Sequence, residues 1–265
     1  MVKQSPVLVI ALAIPLAACS VQYYDDYDSR FAYHDVFNFL TPADRAPALN
    51  DSYEFIVISD IHINADAEGF AKVKDHIGAA KFIVITGDIT GDGTREQIQR
   101  FIDTARTFSI PCYPVMGNHD MYDNRAAPWK ELIGSASYRI DSTGGDTTLF
   151  ILDNANGCFG YDQLEWFEQE LKSAQRHSFV FAHQNFFTTS FKDFEQATDL
   201  RERALVMSLL QGRSEAMFMG HLHKRIVKAY GGVTYIMTEA FSEEKTLCRV
   251  AVSNSGISYQ FERLP

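Results

Sequence analysis

Five short apolar runs in this chain each stop on a side chain able to bind a metal or move a proton. Phe55 to Ile58 leads into Ser59-Asp60-Ile61-His62, and Phe82 to Ile85 leads into Thr86-Gly87-Asp88. Cys112 to Met116 ends in Gly117-Asn118-His119-Asp120, Phe179 to Ala182 ends in His183, and Ala216 to Met219 ends in Gly220-His221-Leu222-His223. Continuous β-branched and aromatic runs of this length read as strands buried on both faces. Between the first three, Ala67 to Ala80 reads as a helix. Thr94 to Phe108 also does, with Ile98, Phe101, Ile102, Ala105 and Phe108 on one face. Strand, helix, strand, helix, strand predicts parallel pairing through crossover helices, and such sheets gather ligands outside the carboxyl ends of their strands. One Asp, Asn or His after a strand is an ordinary cap or turn residue. Five such ends, using five of the eight histidines, predict a single shared crevice.

Further along, Leu149 to Leu152 reads as a strand, and Asp162 to Ala174 and Leu200 to Gln211 as helices. The C-terminal part alternates in β fashion. Arg225 to Tyr230, Val233 to Met237 and Leu247 to Val252 are strands, and a turn at Asn254-Ser255-Gly256 leads into Ile257 to Phe261. The 265 residues carry a formal net charge of −10 without a Lys/Arg cluster, which argues against gripping bulk nucleic acid. A phosphate handled by such a chain must meet its positive charge in bound cations.

The N-terminus has the features of an export signal. Lys3 precedes an apolar run from Val7 to Ala18, and Leu16-Ala17-Ala18-Cys19 places small residues just before a cysteine. This is similar to a bacterial lipoprotein signal over residues 1–18, with Cys19 as the lipidated first residue of a membrane-anchored envelope protein, outer-membrane or periplasm-facing. Residues 19–50, rich in Tyr and Asp and bearing Pro42 and Pro47, read as a tether with a short helix near Asp35 to Leu40. Residues 51–265 form the folded domain. Cys112, Cys158 and Cys248 permit at most one disulfide; Cys112 and Cys248, in strand-like runs, read as small buried side chains.

Taken together, Asp60-x-His62, Gly87-Asp88, Gly117-Asn118-His119-Asp120, His183 and Gly220-His221-x-His223 resemble the motif set of the calcineurin-like metallophosphoesterases, from about Glu54 onward. The resemblance implies an α/β fold, a four-layer αββα sandwich of two mixed sheets flanked by helices. It also implies two divalent metal ions. One would be held by Asp60, His62, Asp88 and His223, the other by Asp88, Asn118, His183 and His221, with Asp88 shared. Nitrogen-rich ligands of this kind favour Mn, Fe or Zn over Ca or Mg. The tyrosine of the purple acid phosphatase branch is replaced by Gly91. The implied reaction is hydrolysis of a small phosphodiester or phosphomonoester by in-line attack of a metal-bridging hydroxide. His119 would protonate the leaving group and Asp120 would hold its ring. Gly87 to Asp120 and His183-Gln184 look similar to the cyclic-nucleotide-phosphodiesterase-like branch. Substrate choice would fall to the loops Met121 to Ser135 and Gln184 to Asp199, where Phe186, Phe187, Phe191 and Trp129 either stack on substrate or fill the core. The alternatives are a membrane-tethered scaffold that keeps its metals, or a lipid-headgroup phosphohydrolase.

Overall fold

The computed structural model describes residues 30–124, 126–188 and 198–265. The predicted parallel core is present. β1 (Tyr53–Ile58) pairs in parallel with β2 (Ala80–Ile85), and β2 with β3 (Cys112–Pro114), with Ile56 opposite Ile83 and Ile83 opposite Cys112. On the other side of β1 run the antiparallel strands β10 (Thr246–Ser253) and β11 (Gly256–Arg263), completing a mixed sheet of order β11-β10-β1-β2-β3. A second mixed sheet has order β4-β5-β6-β7-β9-β8. Its strands are β4 (Tyr138–Asp141), β5 (Thr147–Ile151), β6 (His177–Phe181), β7 (Ala216–Met219), β8 (Ile226–Tyr230) and β9 (Val233–Met237), and β5, β6, β7 and β9 are mutually parallel.

The two sheets meet through aromatic rings. Phe55 of β1 lies 5.2 Å from Phe179 and 5.7 Å from Phe218 of the second sheet, and stacks on Phe82 at 4.9 Å. Helices α1 (Ile63–Lys72) and α2 (Arg95–Ala105) join the same core, where Phe70 and Phe101 stack at 5.8 Å. The opposite face of the second sheet sends Phe150, Val180 and Met217 into a separate cluster with helices α4 (Tyr161–Leu171) and α5 (Leu200–Leu210). This is the expected arrangement of two mixed sheets flanked by helices. The alternation of residues along β5 to β7 between the two clusters explains why those strands read as unbroken apolar runs.

Three expectations are corrected. The tether predicted for 19–50 is not free of the domain over its described part, residues 30–50, although much of that stretch is exposed. Leu40 and Leu49 are buried, Phe37 bridges to Gly134, and Phe39 packs on Phe101 at 5.7 Å. No helix forms over Asp35 to Leu40; the backbone there turns and then runs against the domain. The first helix starts four residues earlier than predicted and ends at Lys72, followed by a tight turn over Val73–His76. Cys112 and Cys248 are buried free thiols, as expected. The proposed signal segment and Cys19 lie outside the described residues, as does Phe191. No helix among the described residues is long and apolar enough to cross a membrane.

Candidate metal centre

β1, β2 and β3 of one sheet and β6 and β7 of the other deliver their carboxyl ends to one place. Two ligand groups form there, Asp60 with His62 and His223, and Asp88 with His183 and His221. Asn118 joins the second group, its Oδ1 lying 3.0 Å from His183 Nε2, and His183 Nε2 is 3.3 Å from Asp88 Oδ2. The structure thus gathers Asp60, His62 and His223 in one group and Asp88, Asn118, His183 and His221 in the other, with the Asp88 side chain in the second. The groups are tied together by the backbone. The His62 amide donates to the Asp88 carbonyl at 3.0 Å and the Asp60 amide to the Gly87 carbonyl at 3.0 Å.

The donors fit cations. His221 Nε2 is buried without a hydrogen-bond partner, and Asp60 Oδ1, also without one, meets only the His223 Nε2 at 3.4 Å, so both atoms are left open to a cation. Three imidazoles are oriented from behind. Nδ1–H of His183 donates to the Thr86 carbonyl at 2.8 Å, that of His62 to the Thr90 carbonyl at 3.2 Å, and that of His223 to Glu243 Oε1 at 2.8 Å. Each bond leaves Nε2 for the ligand group, the arrangement metal-bound histidines use. Glu243, on the short helix α6 (Phe241–Glu244), is a supporting residue that no sequence pattern marks.

The backbone is strained where the ligands sit. Among the described residues six non-glycine positions have positive φ, and five of them are Asp60, His62, Asp88, His221 and His223, at 53°, 40°, 50°, 73° and 54°. Strain of this kind collects at functional sites. The motif glycines serve close approach. A Cβ on Gly117 would stand 2.2 Å from the Asp88 backbone nitrogen, and Gly117 is not in the left-handed region, so its role is clearance and not the turn conformation. Gly87, at φ 95°, would drive a Cβ to 2.2 Å from His183 Nδ1.

His119 stands beside both groups and belongs to neither. Its amide donates to Asp88 Oδ1 at 2.9 Å, and its Nδ1–H to the Gly91 carbonyl at 2.8 Å. The expectation that Asp120 holds this ring is corrected, because the Asp120 carboxylate is fully engaged elsewhere. It accepts from the amides of Gly117, Ile89 and Thr90 and from the Thr90 hydroxyl at 2.8 to 3.2 Å, so it braces the loop. A backbone carbonyl in its role leaves no trace in the sequence. Trp129 and Phe186 are buried core residues and not substrate stackers, and Phe187 is half-buried, packing on Tyr235 at 5.4 Å.

Charge in the centre follows from crowding. Burial alone would raise the Asp88 carboxyl, but His183 and His119 outweigh it and hold it well below the usual carboxylate range. Burial disfavours the His183 cation, yet Asp88 and Asp60 raise it to about 9. His223 is also raised to about 9, chiefly by Asp60 and then by Glu243, against its partial burial. His221 is pushed down to about 4 by burial and by the charge of His183. Burial and the neighbouring Asp88 raise Asp120 to about 7 against its four donors. Each ligand group therefore contains one histidine that holds a proton across neutral pH when no metal competes. With folded values above the ordinary 6.5, these protons stabilise the metal-free fold fully below about pH 6.5, and that stabilisation is lost towards about pH 9. A cation must displace them, so its affinity should rise over the same window, by up to about tenfold per pH unit for each group. Calorimetric titration of Mn²⁺ in buffers of differing ionisation enthalpy should show about one proton released per group. A pH-independent affinity without proton release would refute this.

Residues 53–225 match the calcineurin-like phosphoesterase family. The chain is 24% identical over 150 residues to a probable cyclic nucleotide phosphodiesterase of Fibrobacter succinogenes, covering 54% of this chain and 58% of that protein. It is 26% identical over 158 residues to a probable glycerophosphodiester phosphodiesterase of Arcobacter nitrofigilis, covering 54% and 56%. Each alignment thus spans less than two thirds of the relative. Its fold is similar to purple acid phosphatase from yellow lupin seeds (TM-score 0.68, 12% identity, 82% of this chain and 52% of that one). A dimetal phosphatase from Danio rerio is similar too (TM-score 0.63, 13% identity, 82% and 96%). With the motif ligands gathered at the strand ends and the match running through both sheets, the chain belongs to the calcineurin-like phosphoesterase family.

Proposed function

We propose that this protein is a two-metal phosphoesterase, hydrolysing phosphodiester or phosphomonoester bonds of small molecules, with diesters first in view of the relatives' names. The observation that carries the reading is the pair of adjacent ligand groups with His119 alongside but outside them. Two divalent cations bound there would polarise a phosphoryl oxygen and supply an acidified water. The chain's own residues do the rest. Asp88, with its carboxylate in the second group and its carbonyl on the His62 amide, ties the two groups and is the residue we assign to both ions. The Gly91 carbonyl fixes the His119 ring through Nδ1, and Nε2 has no hydrogen-bond partner among the described residues, which frees it to protonate a leaving oxygen. Asp120 fixes the loop that carries Asn118 and His119, holding both at constant spacing from Asp88.

The Mn-loaded protein should turn over members of a panel of aryl diesters, monoesters, nucleotides and glycerophosphodiesters. Absence of turnover across the panel with Mn, Fe and Zn would leave a non-catalytic scaffold as the reading. Turnover confined to glycerophosphodiesters would favour the lipid-headgroup alternative.

A further inference from the structure

A line of three rings leads from the ligand groups to solvent. His62 meets the His119 ring edge-on at 5.0 Å and 84°, and His119 in turn stacks on Tyr122 at 5.9 Å and 20°. The local backbone produces this line. Residues His119–Asn124 form a 3₁₀ turn, in which side chains three apart eclipse, so Tyr122 lies directly over His119. Within the same turn Asp120 and Met121 point inward and are buried, while Tyr122 is 55% exposed. A large apolar ring is thus held in water immediately beyond the residue assigned to the leaving oxygen. Among the described residues the one ring that Tyr122 stacks on is His119, so its other face is open to solvent. Tyrosine offers a rigid face at little entropic cost, and aromatic rings stack on flat partners without demanding hydrogen bonds.

We propose that Tyr122 is the specificity residue for the leaving group, selecting esters whose alcohol part carries a flat aromatic ring, such as nucleosides or aryl alcohols, over glycerol-type alcohols. The inference rests on the phosphoesterase reading above and names its substrate class. The phosphorus end lies at the ligand groups, the leaving oxygen at His119, and the ring of the leaving alcohol on Tyr122.

The test uses the Mn-loaded full chain, its Tyr122→Ala and Tyr122→Phe variants, and two readouts. In calorimetry the wild type should bind adenosine monophosphate more tightly than glycerol phosphate by about tenfold, Tyr122→Phe should keep that preference, and Tyr122→Ala should lose it. In kinetics Tyr122→Ala should raise KM for bis(p-nitrophenyl) phosphate about tenfold with kcat nearly unchanged, and leave glycerophosphocholine hydrolysis unaltered. Equal affinity of wild type and Tyr122→Ala for adenosine monophosphate overturns the proposal, as does a loss shared equally by both substrates. If the wild type hydrolyses nothing while the binding preference still disappears in Tyr122→Ala, the stacking site stands and the phosphoesterase reading fails.

Discussion

Asp88→Asn is expected to remove metal binding and turnover together. Asn Oδ1 can still accept the His119 amide that Asp88 Oδ1 accepts at 2.9 Å, so the loop that follows β3 keeps its anchor. What is lost is charge. Asp88 is 2% exposed, faces His183, and has its carboxyl held well below the usual carboxylate range by that neighbour. Losing even a supporting residue costs about 10- to 100-fold in metal affinity, so losing an inner carboxylate should cost more than about 100-fold. The replacement also points amide hydrogens where a cation should sit. Elemental analysis of the purified variant should find the metal gone while circular dichroism shows the fold intact. A variant that retains both metals would disprove the role given to Asp88.

His119→Ala should behave in the opposite way, keeping its metals and losing rate. His119 is in neither ligand group, and its ring is held by a backbone carbonyl, so its removal leaves the donors in place. Positioned proton donors contribute about 10²- to 10⁴-fold, and the contribution depends on how much the leaving group needs a proton. An alkyl ester should therefore slow by about that factor, and a p-nitrophenyl ester, whose leaving group departs without help, far less. Equal slowing of the two esters would show that His119 acts on something other than the leaving oxygen.

The strand ends were legible in the sequence because burial on both faces writes an unbroken apolar run, and a polar residue that ends such a run has few places to go. The same logic failed wherever burial is sparse or one-sided. Phe39, Leu40 and Leu49 are buried, but their short apolar stretches are broken by polar residues and prolines, so the segment over 30–50 resembled a tether. β4 is four residues long with every second side chain only half-buried, and α3 (Ala126–Leu132) carries a proline near its start; neither gives a period to count. Within the centre, the ligands were readable and their supports were not. Glu243 reaches His223 from a helix twenty positions away, and Thr86, Thr90 and Gly91 act through carbonyls that every residue possesses.

The left-handed backbone at Asp60, His62, Asp88, His221 and His223 sets function against folding in this chain. Each such position costs on the order of 1 kcal/mol or more, and five of them approach the net stability of a small domain. Glycine at any of the five would release that strain while removing a candidate ligand, so stability and metal binding should move in opposite directions on substitution there.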